Sequence, residues 1–308
     1  MTAGARALGL ACLLLAALGA PAAGGAESRV RQSTAFDSAA LGRPMAYSVY
    51  LPPGYDGEDD EAEDAPGRRF PVIYLLHGLG GNERDWLLGA GVDAIADDLI
   101  ARGAMPPAIL VMPDGGVGWY VDSAAIGGPG DYETAIAADL IAHVDATYRT
   151  IAAREGRAIA GLSMGGYGAV RLAFFHPDLF AAAGSLSGAI FPDIPSDDDV
   201  SDLQQDLFRG AFGTPVDAGR FNAANVFGPI ADLAAAGAAP PLLLTVGDDD
   251  RFRLDRGAHA LFTALRDAGL PVELRITDGG HVWPLWAQQI QGVLVFLGGY
   301  LSPPRDDG

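Results

Sequence analysis

Cysteine is almost missing from this chain: 308 residues carry only Cys12. It lies within the apolar stretch Ala7–Ala20. Everything after it therefore has no disulfide, no thiol chemistry and no thiolate metal site, and stability must come from a packed core. Positive charge is also scarce. Twenty Lys and Arg stand against 39 Asp and Glu, a formal charge of −19. Such a field disfavours nucleic acid and anionic membrane surfaces as partners. The acidic groups Glu58–Asp64 and Asp197–Asp199 lack the spacing of a calcium-binding loop and read as solvated loops. Histidine is limited to five positions, so each can be weighed as a candidate acid or base. No internal repeat or interdomain linker is visible.

What is there begins with a targeting pattern. Arg6 precedes the apolar stretch, and small residues fill Pro21–Ala26. That is the layout of a secretory signal over residues 1–26. The span is too short, and polar sequence follows too closely, for a membrane anchor. Gly9-Leu10-Ala11 lacks the leucine expected three positions before a lipidated cysteine. Loss of Arg6 with the signal takes the charge from −19 to −20. Secretion or a periplasmic location is expected, without stable membrane insertion after cleavage, and residues 27–308 form one domain.

Strand-like and helix-like segments then alternate, as in an open α/β sheet. Expected strands are Met45–Leu51, Val72–Leu76, Ala108–Met112, Ala158–Ala160, Ala182–Leu186, Leu242–Val246 and Val272–Ile276. Several are continuous apolar runs, which suits parallel strands covered on both faces. Asp131–Tyr148 reads as a helix because Ile136, Leu140, Ile141 and Val144 recur at helical steps. Met164–Phe175, Gly257–Ala268 and Trp286–Leu297 read the same way. About 188–239 the sequence turns to Asp, Gly, Pro and Phe with no clean period. This is expected to be a cap-like insertion between two strands, with Phe191, Phe208, Phe212, Phe221 and Phe227 as its own small core.

The run Ile159-Ala160-Gly161-Leu162-Ser163-Met164-Gly165 passes from strand to helix. A serine between glycines at such a junction is the layout of a nucleophile elbow, where a tight turn lifts the hydroxyl above the sheet. Serine needs a base, usually a histidine oriented by a carboxylate. His143 lies within a helix, His176 ends one, His259 starts one, and His77 opens a glycine loop beside the site. His281 lies in a glycine loop after the late strand Val272–Ile276, which suits the chain order serine, acid, histidine. Asp248, Asp249 and Asp250 follow the strand before it. At most one of three adjacent carboxylates should be buried facing the imidazole. Asp250 is favoured, with Asp249 next. The oxyanion formed on attack needs backbone donors, and Met164 N–H and Leu79 N–H are placed to supply them. Trp119 and Tyr120 follow a strand whose end faces the site and could stack on a substrate ring.

Several segments resemble the esterase D-like α/β-hydrolases, a family that includes feruloyl and acetylxylan esterases, S-formylglutathione hydrolases and antigen 85 mycolyltransferases. They include Tyr47-Ser48-Val49-Tyr50-Leu51-Pro52-Pro53-Gly54-Tyr55, Leu75-Leu76-His77-Gly78-Leu79-Gly80-Gly81, Met112-Pro113-Asp114-Gly115-Gly116, Trp119-Tyr120-Val121-Asp122-Ser123, Tyr148-Arg149-Thr150 and Gly279-Gly280-His281-Val282-Trp283. The resemblance implies an α/β-hydrolase fold, with a mostly parallel central sheet and helices on both faces. It also implies Ser163 as nucleophile, His281 as base, Asp250 as acid, and Leu79 and Met164 as oxyanion donors. The expected activity is hydrolysis of a small-molecule or carbohydrate-linked ester of feruloyl or acetyl type, with no cofactor and no metal. An acyltransferase using the same residues, or a binding protein on the same fold, are the alternatives. Gly165-Gly166 after Met164 is similar to the esterase members rather than the mycolyltransferases.

Overall fold

Apolar runs flanked by glycine loops build the centre of the molecule. Val72–Leu76, Ile109–Pro113, Arg157–Leu162 and Ala182–Leu186 are buried along their whole length. Each is too short for a helix and is covered on both faces. The computed structural model describes Met1 and residues 28–55 and 67–306. The rest of the expected signal and the acidic loop Glu58–Asp64 lie outside the described residues. Among the described residues no helix is long and apolar enough to cross a membrane.

The strands are β1 (Arg29–Ser38), β2 (Arg43–Leu51), β3 (Val72–Leu76), β4 (Ile109–Pro113), β5 (Arg157–Leu162), β6 (Ala182–Leu186), β7 (Leu242–Gly247) and β8 (Val272–Thr277). They form one sheet in the order β1-β2-β4-β3-β5-β6-β7-β8. β3 pairs in parallel with β4 and β5, and β5 through β8 continue the parallel run. β1 and β2 are antiparallel and close one edge. The order places β3 and β5 side by side at the centre, so the loops after them meet.

Helices α1 (Val92–Ala101) and α9 (Trp283–Gly298) pack on one face of the sheet. On the other lie α4 (Met164–Phe175), α8 (Leu254–Asp267) and a composite helix. That helix runs from α2 (Tyr132–Thr134) through wider turns at Ala135–Leu140 into α3 (Ile141–Thr147). Between β6 and β7 come the short helices α5 (Asp202–Phe208), α6 (Ala218–Ala223) and α7 (Ile230–Ala236). Ser201 opens α5 with a reciprocal capping box to Gln204.

One expectation about the insertion needs correction. The phenylalanines of the insertion are not a private core: Phe208, Phe212 and Phe221 are continuous with the main core through Trp119 and Tyr167. Phe191 instead lines the large cavity described below. The helix Val92–Ala101 and the strand Arg29–Ser38 were not expected. β1 is an edge strand whose side chains are mostly exposed, and its sequence carries little apolar signal.

Candidate active site

β5 ends at Leu162, and the chain reverses at Ser163 with φ 54° and ψ −117° before α4 begins at Met164. A left-handed φ is costly for a non-glycine residue and persists only where the surroundings enforce it. Here they do. A Cβ on Gly161 would stand 2.2 Å from the Gly165 carbonyl oxygen, and one on Gly165 would stand 2.4 Å from Leu76 O. Only glycine allows β5, the turn and β3 to approach this closely. The turn is also tied across the sheet, since Ser163 N–H donates to Leu186 O at 2.9 Å and Ala189 N–H to Ser163 O at 2.9 Å.

Three side chains from three loops meet above this turn. His281 Nε2 lies 3.0 Å from Ser163 Oγ, and His281 Nδ1 lies 2.7 Å from Asp250 Oδ2. The imidazole is nearly buried and the Asp250 side chain wholly so. Phe252 and Trp286 hold the ring by edge contacts at 5.0 and 4.8 Å between centroids. The second carboxylate oxygen of Asp250 accepts the Phe252 N–H at 2.9 Å. The other two aspartates of the run face outward. Asp248 accepts the Gly279 N–H, and both it and Asp249 are exposed near Asp278. Burial and direction therefore single out Asp250 from its neighbours.

Met164 N–H opens α4, where the first N–H groups have no intrahelical partner. Leu79 follows β3 in a turn closed by Gly81 N–H to Gly78 O at 3.0 Å. A Cβ on Gly78 would come within 3.4 Å of Ser163 Cβ, so this turn packs against the serine. Among the described residues neither the Leu79 nor the Met164 N–H has a hydrogen-bond partner. Both residues line the cavity that Ser163 and His281 face.

That cavity holds about 670 Å³. Its wall is mainly apolar, from Trp119, Leu162, Phe191, Phe252, Trp283 and Trp286, with Asp85 and Arg251 as its charged members. Burial pushes the Asp85 carboxyl above its ordinary range. The insertion contributes Ala189, Phe191, Leu203 and Leu207 to the wall. Leu207 O also accepts the Trp119 indole N–H at 2.9 Å, which pins that ring in place.

Trp119 lines the cavity, but Tyr120 does not, and its expected stacking role is corrected. Both have left-handed backbones, at φ 53° and 56°. This turns Tyr120 under the floor, where its ring fills the space left by Gly115 and Gly168 and its O–H donates to His77 O at 2.9 Å. Of the remaining histidines, His143 and His176 have structural partners. His143 stacks on Phe36 and meets Tyr47 O–H, and His259 is exposed on α8. His176 meets Glu133 at 2.9 Å. Burial would raise the Glu133 carboxyl, but the hydrogen bond with His176 and the ion pair with Arg171 at 2.7 Å outweigh it and hold the group down at about 2. The cavity walls from Leu203, Trp283 and Trp286 were not anticipated; their only sequence signal was proximity to the insertion and to His281.

Residues 38–297 match the model of the Esterase family, described as "Putative esterase", and the chain belongs to that family. An esterase of Mycobacterium tuberculosis (strain H37Rv) is 32% identical over 263 residues, covering 80% of this chain and 55% of the relative. An endo-1,4-beta-xylanase/feruloyl esterase of Xylanibacter ruminicola is 33% identical over 165 residues, covering 52% of this chain and 22% of its own length. The chain spans about half the length of the first of these relatives. Among solved structures, a ferulic acid esterase superposes with a TM-score of 0.71 at 27% identity, covering 89% of this chain and 99% of its own.

Proposed function

We propose that the chain is a serine carboxylesterase that hydrolyses acyl esters of sugars or other alcohols through an acyl-enzyme. One observation carries the reading: an unbroken line runs from the Asp250 carboxylate through the His281 imidazole to the Ser163 hydroxyl, at 2.7 and 3.0 Å. The family membership and the relatives named esterase and feruloyl esterase support the same chemistry.

In this reading Ser163 Oγ attacks the ester carbonyl while its proton passes to His281 Nε2. The carbonyl oxygen becomes an oxyanion, met by the Leu79 and Met164 N–H groups. Asp250 keeps the other ring proton on Nδ1 and stabilises the imidazolium. When the tetrahedral species collapses, the C–O bond to the alcohol breaks and His281 gives its proton to the leaving oxygen. Water then enters, loses a proton to His281 and attacks the acyl carbon. Collapse returns the proton to Ser163 and releases the carboxylic acid. The apolar cavity receives the acyl group, with the Trp119 face beside it. The N-terminal signal pattern supports secretion or a periplasmic location.

Ser163→Ala should lower turnover of a short-chain nitrophenyl ester by at least about 10⁴-fold. It should also abolish labelling by a fluorophosphonate probe and leave the thermal melt unchanged. Turnover retained at the parent level would overturn the reading. Product analysis with added acceptor alcohol separates the neighbouring activity: free acid alone supports hydrolysis, whereas a new ester proportional to the alcohol points to acyl transfer.

A further inference from the structure

His77 stands outside the catalytic line, yet it is one of the few fully buried polar side chains. Its Nε2 receives the Gly115 N–H at 2.8 Å, and its Nδ1 lies 2.7 Å from Gly78 O. An amide can only donate and a carbonyl can only accept. The ring must therefore be neutral, with its lone pair on Nε2 and its proton on Nδ1 donated to Gly78 O. Asp114 Oδ1, the charged group nearest Nε2, stands 3.6 Å away and is too distant to replace Gly115. The backbone carbonyl of His77 is held as well, by the Tyr120 O–H at 2.9 Å.

Gly78 C=O and Leu79 N–H belong to one planar peptide, and in a trans peptide the two bonds point in opposite directions. Whatever grips the carbonyl from one side aims the amide at the other. The grip is at the buried His77 ring, and Gly78 and Leu79 both line the cavity together with Ser163. Gly81 N–H also donates to Gly78 O, but it belongs to the same turn and moves with it. His77 instead ties the turn to Gly115, on the loop after β4.

We propose that His77 is a positioning residue for the oxyanion site, holding the Gly78–Leu79 peptide so that the Leu79 N–H points at the developing charge. The inference rests on the proposed esterase mechanism. It predicts a role in the transition state and none in ground-state binding.

Two amide substitutions divide the ring's functions. Asn at 77 can place an N–H near the Nδ1 position and keep the grip on Gly78 O. Gln reaches toward the Nε2 position and does not. His77→Gln should therefore lower kcat by about 10²-fold, as for loss of one oxyanion donor, with KM little changed. Affinity for a trifluoromethyl ketone, which forms a tetrahedral oxyanion on Ser163, should fall by the same factor. His77→Asn should recover most of both losses. Equal losses in His77→Asn and His77→Gln, or a folded His77→Gln with parent kcat and ketone affinity, would overturn the proposal. Should His77→Gln fail to fold, Tyr120→Phe decides: a parallel fall in kcat and ketone affinity supports the clamp, and parent values for both reject it. Ser163→Ala keeps the two readings apart. If that variant is inactive while His77→Gln is fully active, only the positioning role fails.

Discussion

Two serines that end neighbouring strands of the sheet both take a left-handed φ. Ser163 follows β5 with φ 54°, and Ser187 follows β6 with φ 44°. Each donates its N–H to the next strand over, Ser163 to Leu186 O at 2.9 Å and Ser187 to Thr245 O at 2.7 Å. Their hydroxyls differ completely. Ser163 Oγ meets an imidazole at the mouth of a cavity, while Ser187 Oγ is fully buried and accepts the Trp286 indole N–H at 3.2 Å. A strained strand-end turn is thus something this parallel sheet makes more than once. What sets Ser163 apart is the partner that β7 and β8 bring above it.

The comparison breaks first at that partner. If the oriented imidazole is the difference, then disorienting it should make Ser163 nearly as inert as Ser187. Asp250→Asn removes the acceptor that keeps the ring proton on Nδ1. It should lower kcat by about 10⁴-fold with the fold intact. Asp249→Asn, at an exposed neighbour, should change kcat less than threefold and stability by about 0.5 kcal/mol at most. Steady-state kinetics and thermal melts of the two variants side by side give the answer. A larger loss from Asp249→Asn would mean that the outward-facing carboxylate orients the ring.

The sequence made this difference readable because each partner sits in a loop directly after a strand. Parallel topology sends all such loops to one edge. Ser163, Asp250 and His281 could be placed there from alternation and glycine positions, although three successive aspartates kept Asp249 as the second choice for the acid. Tyr120 could not be read correctly. Its neighbour Trp119 reaches the cavity, and only two consecutive left-handed residues turn Tyr120 the other way. The notch that receives it is formed by Gly115 and Gly168, the second of them 48 positions away in the chain. The positioning contacts of His77 were hidden for the same reason, since its partner Gly115 arrives from the loop after another strand. β1 escaped notice because an edge strand exposed on most of its length has no apolar alternation to show.

Glycine at each turn sharpens the contrast. At Gly165 an added Cβ would meet backbone, 2.4 Å from Leu76 O and 2.6 Å from His77 O, and these atoms cannot move without shifting β3. At Gly188 the nearest obstacle is Ser185 Oγ at 2.2 Å, the tip of a side chain with no hydrogen-bond partner of its own. Gly165→Ala should therefore cost about 3 kcal/mol, at the upper end for overpacking, and Gly188→Ala about 1 kcal/mol. Urea denaturation checks the order. Equal costs would mean that the elbow at Ser163 is no more crowded than the turn at Ser187.

The smallest effect on turnover is expected at the quieter serine. Ser187→Ala removes the acceptor of a buried indole N–H, and an orphaned buried donor costs about 1–3 kcal/mol. Trp286 keeps its packing in the core on α9 and its edge contact with His281, so the ring that backs the imidazole should stay in place. The variant should melt a few degrees lower, turn over a nitrophenyl ester within about twofold of the parent, and take up one fluorophosphonate per chain. A loss of activity comparable to that of Ser163→Ala, with the melt unchanged, would put Ser187 in the reaction. The similarity of the two turns would then be functional rather than a by-product of how parallel strands end.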